Sequence, residues 1–267
     1  MALLTAVMLP LPMEAAGAVP LQAARPTQID WNLTPEQITS TCMAMRGQRT
    51  FTNTLLPLGY VAALLGTAPY ETLSGGFRQD FVEAPSQMLE NFMWRPAILK
   101  EVSSNVTTGS PLPDDLIAKM IAARYVDEAY FTTGQIKLGM VDMAYHSRGP
   151  KVDTTAVWGE ISSQYTPLAM VPGTHPQAAF GHLFGYDAGY YTYLWALVYA
   201  QDMFTAFQSG GLENPAVGLR YRQPILEPAR TYESDAEVRA FLGRPMSTDA
   251  FYKQFETAPE ATPTPKG

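Results

Sequence analysis

Glu83 lies in the run Asp80-Phe-Val-Glu-Ala-Pro-Ser-Gln-Met-Leu-Glu90, with Phe81-Val82 before it and Ala84-Pro85 after it. Apolar neighbours favour a partly buried carboxylate, which must either find a hydrogen-bond partner or carry a raised pKa. Much further along, His182-Leu-Phe-Gly-Tyr-Asp-Ala-Gly-Tyr-Tyr-Thr-Tyr-Leu-Trp195 collects an imidazole, the phenols of Tyr186, Tyr190 and Tyr193, and the glycines Gly185 and Gly189. A carboxylate can move a proton, and imidazole and phenol donors can hold a developing negative charge. Tyr190, Tyr193, Trp195 and Tyr199 also recur near helical spacing, which is the pattern of core aromatics. For Tyr190 and Tyr199 the packing role weighs more than the catalytic one. His146 and His175 are isolated and read as surface or helix-end residues.

These segments resemble the C-terminal catalytic region of the thimet oligopeptidase, oligopeptidase A and peptidyl-dipeptidase family of zinc metallopeptidases. The likeness runs from near Thr50 to near Phe255. It includes Leu73-Ser-Gly75, the Asp80 to Glu90 run, Pro111-Leu-Pro-Asp-Asp115, Phe180-Gly-His-Leu183, the tyrosine-rich segment, Tyr221-Arg-Gln-Pro-Ile-Leu-Glu-Pro228 and Phe241-Leu-Gly-Arg244. The resemblance implies a mainly α fold, a truncated zincin-like metallopeptidase catalytic domain. Family enzymes are much longer, and their N-terminal half walls the substrate channel.

By the same resemblance, Glu83 stands at the family's third zinc ligand. His182, Tyr186, Tyr190 and Tyr193, with Gly185 and Gly189, fall on its substrate-binding loop, although one glycine is missing before Tyr186 relative to the usual His-Leu-x-Gly-Gly-Tyr. The family motif H-E-F-G-H falls within Phe51-Thr-Asn-Thr-Leu-Leu-Pro-Leu-Gly-Tyr-Val-Ala-Ala-Leu-Leu65. Gly59 fits the family glycine, whereas Leu56 and Tyr60 stand at the two histidine positions and Pro57 at the glutamate. That motif works by setting two imidazoles one helical turn apart on zinc, with the glutamate as general base. Leu and neutral Tyr cannot replace them, and Pro57 has neither a carboxylate nor an N–H. A lone Glu83 is not a zinc site, since catalytic zinc takes three protein ligands and an open position. The expectation is therefore no metal and no other cofactor, with Tyr60 recast as a substrate-binding residue.

Composition limits the remaining classes. A net charge of −7 without a basic run makes nucleic acid an unsuitable partner. The single cysteine, Cys42, rules out an internal disulfide framework, so a core drawn from a 46% hydrophobic chain must supply the stability. No stretch approaches a membrane-spanning length. Met1 to Ala18 is apolar but has no basic region and is interrupted by Pro10 and Pro12, so it reads as a buried strand remnant rather than a signal peptide, and the chain as cytoplasmic. Asn32-Leu-Thr34 and Asn105-Val-Thr107 match the glycosylation pattern, as chance often arranges.

The elements that must carry these residues are mostly helices. Thr34-Pro35-Glu36-Gln37 is a start signal for a helix from Glu36 to Met45. Others are expected from Leu58 to Leu65, from Ser86 to Ser103 with a break near Pro96, and from Pro113 to His146 with Gly134 and Gly139 able to bend it. Asp153 opens one to about Tyr165, and Thr166 to Gln177 is a loop. Ala188 to Ser209 reads as a buried helix stopped at Gly210-Gly211, and Ser234-Asp-Ala-Glu237 as a capping box opening a helix to Leu242. Residues 1–49 form a divergent segment, 50–257 one oligopeptidase-like helical domain, and 258–267 a disordered Pro/Thr-rich tail.

The function expected from the persistence of these polar residues is a metal-independent enzyme of isomerase or cyclase type, biosynthetic, turning over a small or peptide-like ligand in the former peptidase cleft. The alternative is a pseudopeptidase that binds peptides without cleaving them. A third reading is a subunit whose missing half comes from a protein partner or a homo-oligomer.

Overall fold

The computed structural model describes Leu73 and residues 76–256. Nine α-helices follow one another among the described residues: α1 (Ala84–Glu90), α2 (Pro96–Val102), α3 (Asp114–Ala122), α4 (Glu128–Ser147), α5 (Thr154–Tyr165), α6 (Thr192–Gly210), α7 (Pro215–Tyr221), α8 (Ser234–Leu242) and α9 (Asp249–Glu256). No strand forms among these residues. The expected helices at Glu36 to Met45 and Leu58 to Leu65, the positions Leu56, Pro57 and Tyr60, the segment Met1 to Ala18 and the tail from Ala258 all lie outside them.

Local chemistry explains most of the boundaries. Asp153 caps α5 as expected, its Oδ1 accepting the Ala156 N–H at 3.0 Å. Gly211, at φ 99°, ends α6 where the double glycine predicts a stop. Pro85 and Pro96 sit in the first turns of α1 and α2, where a missing N–H costs nothing. A 3₁₀ turn at Asn91–Trp94 separates those two helices, giving the break expected near Pro96.

Three expectations need correction. The region from Pro113 to His146 is two helices, because Asp127 takes a left-handed conformation at φ 61° and breaks the run. α4 then passes through Gly134 and Gly139 without interruption. The buried helix starts at Thr192, leaving Ala188 to Tyr191 as a turn that enters it. Ser234 is the first residue of α8 rather than its cap, so no capping box forms, and Glu233 precedes the helix without a side-chain cap bond. Asn105 is buried, and its Oδ1 accepts the Thr107 and Thr108 N–H groups at 2.9 Å, so this part of the glycosylation-like triplet is a turn lock.

The main core gathers around α6, which packs along α1 and meets α7, α8 and α9. Phe81, Met88, Tyr199, Met203, Phe207, Tyr221, Ile225 and Phe241 fill it. A second core holds α4 against α5 through Val141, Val157, Trp158 and Ile161, and it includes Phe180 and Tyr190. α6 contributes to both, because Tyr193 at its start leans on the second core while the rest of the helix builds the first. The tyrosine-rich turn is thus placed where two packed layers meet. Phe207 is buried against the rings of Phe92, Tyr221 and Phe241. Phe207→Ala should cost about 3–5 kcal/mol, the usual cost of emptying an aromatic site in a packed core. Urea unfolding measures this, and a loss below about 1 kcal/mol would show that the surrounding rings collapse into the gap.

Candidate functional site

Glu83 immediately precedes α1, and its side chain makes no helix cap, which leaves the carboxylate available for long-range contact. Oε1 accepts a hydrogen bond from the Tyr186 hydroxyl at 3.1 Å. Ser86, one turn along, donates to the Glu83 carbonyl at 2.9 Å and reaches Oε2 at 3.4 Å. The partner that the sequence required of a half-buried carboxylate is therefore Tyr186.

Tyr186 and Tyr193 stack, with ring centroids 5.1 Å apart and planes at 23°. The stack joins Tyr193 to Tyr186, the phenol that bonds Glu83. His182 stands edge-on to this group, 5.9 Å from Tyr186, 5.1 Å from Tyr190 and 5.7 Å from Tyr193 between ring centroids. Burial raises the Tyr186 phenol above its ordinary value, and the negative charge of Glu83 adds to this. Burial also raises Tyr193, with Tyr186 and Glu83 as further causes. Tyr190 is pushed up to about 12 by burial. All three phenols are therefore protonated near neutral pH and act as donors. Each phenol has one proton to give, so Tyr186 can donate to a ligand only by letting go of Glu83.

Tyr190 takes the packing role expected of it. It is buried in the second core, and its hydroxyl donates to Gln135 Oε1 on α4 at 3.1 Å. Trp195 stands apart from this cluster. It turns toward Tyr199 at 5.8 Å, and the Tyr199 hydroxyl donates to Asp235 at 2.6 Å, so those two residues serve the α6–α8 contact. Gly185 and Gly189 line a polar cavity of about 670 Å³ with Arg78, Asp80, Asp187 and Glu233. Tyr60 lies outside the described residues. His175 makes a surface contact with Thr155 at 3.0 Å, and His146 occupies the last turn of α4, as their isolation suggested.

Sequence reasoning missed Gln87 and Gln135. Gln87 donates to the Tyr193 carbonyl at 3.1 Å, tying α1 to the start of α6. Its position four residues after Glu83 puts both on one helix face, a signal that was present in the sequence. Gln135 meets Tyr190 across 55 positions and left no local signal.

The arrangement sets a carboxylate at the start of one helix against a His/Tyr turn from a distant segment. Residues 61–257 match Peptidase family M3, and the chain belongs to that family. It is 37% identical to saccharolysin of Saccharomyces cerevisiae over 67% of this chain and 26% of that protein. Oligopeptidase A of Salmonella typhimurium is 35% identical over 74% of this chain and 30% of its own length. The thimet-like oligopeptidase of Dictyostelium discoideum is 33% identical over 73% and 30%. The chain thus spans between 26% and 30% of the length of these relatives.

Among the described residues no group of three His, Cys, Asp or Glu converges, and Oε1 of Glu83 is engaged by a phenol. The chain's histidines are His146, His175 and His182, a set that contains no pair one helical turn apart. No described helix is long and apolar enough to cross a membrane.

Proposed function

We propose that this chain is a ligand-handling member of Peptidase family M3 that works without a zinc centre of its own, with Glu83, His182, Tyr186 and Tyr193 facing a peptide-like or small substrate. The observation that carries this reading is the part-buried 3.1 Å bond between Tyr186 and Glu83, which joins segments 103 residues apart. Glu83 takes a proton from the substrate, and Tyr186 and Tyr193 donate to the oxygen on which charge develops. His182 holds the two rings edge-on. Chemistry of this kind moves protons and needs no metal-bound water, so the reaction is of isomerase or cyclase type.

A second reading, binding without turnover, draws on the exposed apolar side chains of α4. Tyr130, Ile136, Met140 and Met143 are open to solvent there, as surface covered by another polypeptide would be. A partner or a second copy would then complete the cleft.

Purified protein should contain no stoichiometric zinc and should leave a pool of fluorescein-labelled short peptides uncleaved while binding some of them. One zinc per chain by elemental analysis, together with chelator-sensitive cleavage, would overturn the metal-independent reading.

A further inference from the structure

Asp142, on α4, is fully buried and carries no part of the chemistry just described. Its Oδ1 accepts the Ala188 N–H at 3.0 Å, and its Oδ2 accepts the Tyr190 N–H at 3.0 Å. His146 Nδ1 lies 3.0 Å from Oδ1 and 2.8 Å from the Asp142 carbonyl oxygen, one helical turn along. Both carboxylate oxygens are thereby satisfied by N–H groups, which is the condition for a buried charge to be tolerated. Two of those donors come from a single turn, 46 and 48 positions away in sequence. The first anchored residue, Ala188, is itself in the left-handed conformation at φ 55°, which a residue with a Cβ resists. Something outside the turn must hold it there, and Asp142 makes the bonds that do so.

The turn leads directly into the site. Tyr186 precedes it, Tyr190 ends it, and Tyr193 follows within the first turn of α6. Fixing the Ala188 and Tyr190 amides fixes where the chain leaves Tyr186 and the angle at which α6 presents Tyr193. Gly139, also on α4, lies beside the Tyr191 backbone, so helix and turn are packed against each other here.

We infer that Asp142 is the positioning residue of the tyrosine turn, a buried carboxylate clamp that aims the Tyr186 and Tyr193 phenols at Glu83. For ligand handling this rests on the reading under Proposed function, whereas the clamp itself can be tested without any ligand. His146 acts behind it by holding the carboxylate in one rotamer.

In wild-type protein, the Ala188 and Tyr190 amides should exchange with deuterium at least tenfold more slowly than the Asp187 and Tyr191 amides of the same segment, although Ala188 itself is exposed. Asp142→Asn keeps the shape and turns one acceptor into a donor facing an N–H. That variant should raise exchange at both amides at least tenfold while the amides of α5 keep their protection. It should also collapse the ring-current dispersion of the Tyr186, Tyr190 and Tyr193 resonances in protein carrying ¹³Cζ-tyrosine, a signature that simple loss of stability would leave unchanged at temperatures below unfolding. Unprotected amides in the wild type would overturn the clamp even if Asp142→Asn fails to fold. Unchanged tyrosine resonances in a folded Asp142→Asn would overturn the positioning role. If the clamp results hold while wild-type protein neither binds nor converts the labelled peptide pool, the functional reading fails and the clamp stands.

Discussion

The Glu83→Gln, Tyr186→Phe double variant is expected to lose turnover by a factor of about 10² to 10⁴, the range that a positioned acid–base group supplies. Each substitution preserves size and removes one function. Gln keeps an acceptor oxygen but cannot take the proton, and Phe keeps the ring stacked on Tyr193 but has nothing to donate. The two groups bond to each other, so the single variants should each lose nearly as much as the pair, and their effects should not add. Stability changes little, because a half-exposed hydrogen bond contributes about 1 kcal/mol net, equivalent to about 2–4 °C in melting temperature for a domain of this size. Ligand affinity and conversion, measured in parallel, separate the two readings. Affinity retained without conversion in the wild type supports binding alone, and full activity in the double variant removes Glu83 and Tyr186 from the mechanism.

The sequence disclosed the site through residue type and the fold through punctuation, and its failures have physical causes. Asp153 before an apolar run and Gly210-Gly211 after one act locally, and both boundaries appear where such residues place them. The left-handed Asp127 is also local, but Asp reaches that conformation only occasionally, so nothing in Pro113 to His146 announced a break. Ser234 to Glu237 has the residue types of a capping box, yet the helix starts one residue earlier than that motif requires. The partnership of Glu83 with Tyr186 was implied by a family resemblance, since no periodicity links positions so far apart. The separation of Tyr193 from Trp195 was not legible, because it depends on which core each face of α6 meets. Asp142 gave no sign of its role, since a carboxylate in a helix reads as solvated until the turn that it holds is seen.

Raising the pH from 5 to 8.5 is expected to destabilise the protein through Glu237. This carboxyl on α8 is buried and is pushed up to about 8, chiefly by burial and further by the neighbouring charge of Glu233, against smaller opposing effects of the Tyr232 backbone and the Arg78 guanidinium. Its Oε1 has no hydrogen-bond partner. Arg78, which bonds Glu233 at 2.6 Å, lowers the Glu237 carboxyl somewhat but does not offset its burial. In the unfolded chain a glutamate titrates near its ordinary value of about 4.3. Below that pH both states hold the proton, and the group contributes nothing to the difference. Between about 4 and 8 the unfolded state releases its proton while the folded state keeps it, so stability falls with rising pH, and above about 8 the loss levels off. The size is on the order of 2 to 5 kcal/mol, since every tenfold difference in proton affinity between the folded and unfolded states corresponds to about 1.4 kcal/mol. Glu237→Gln stays neutral at every pH and should gain stability over wild type by that amount at pH 8.5, while differing little at pH 5. Urea midpoints at pH 5, 6.5 and 8.5 for the two proteins give the difference directly, with every other titrating group cancelling between them. Parallel curves for wild type and variant would mean that Glu237 ionises in the folded state as readily as in the unfolded one, and that water or Arg78 reaches it when it does.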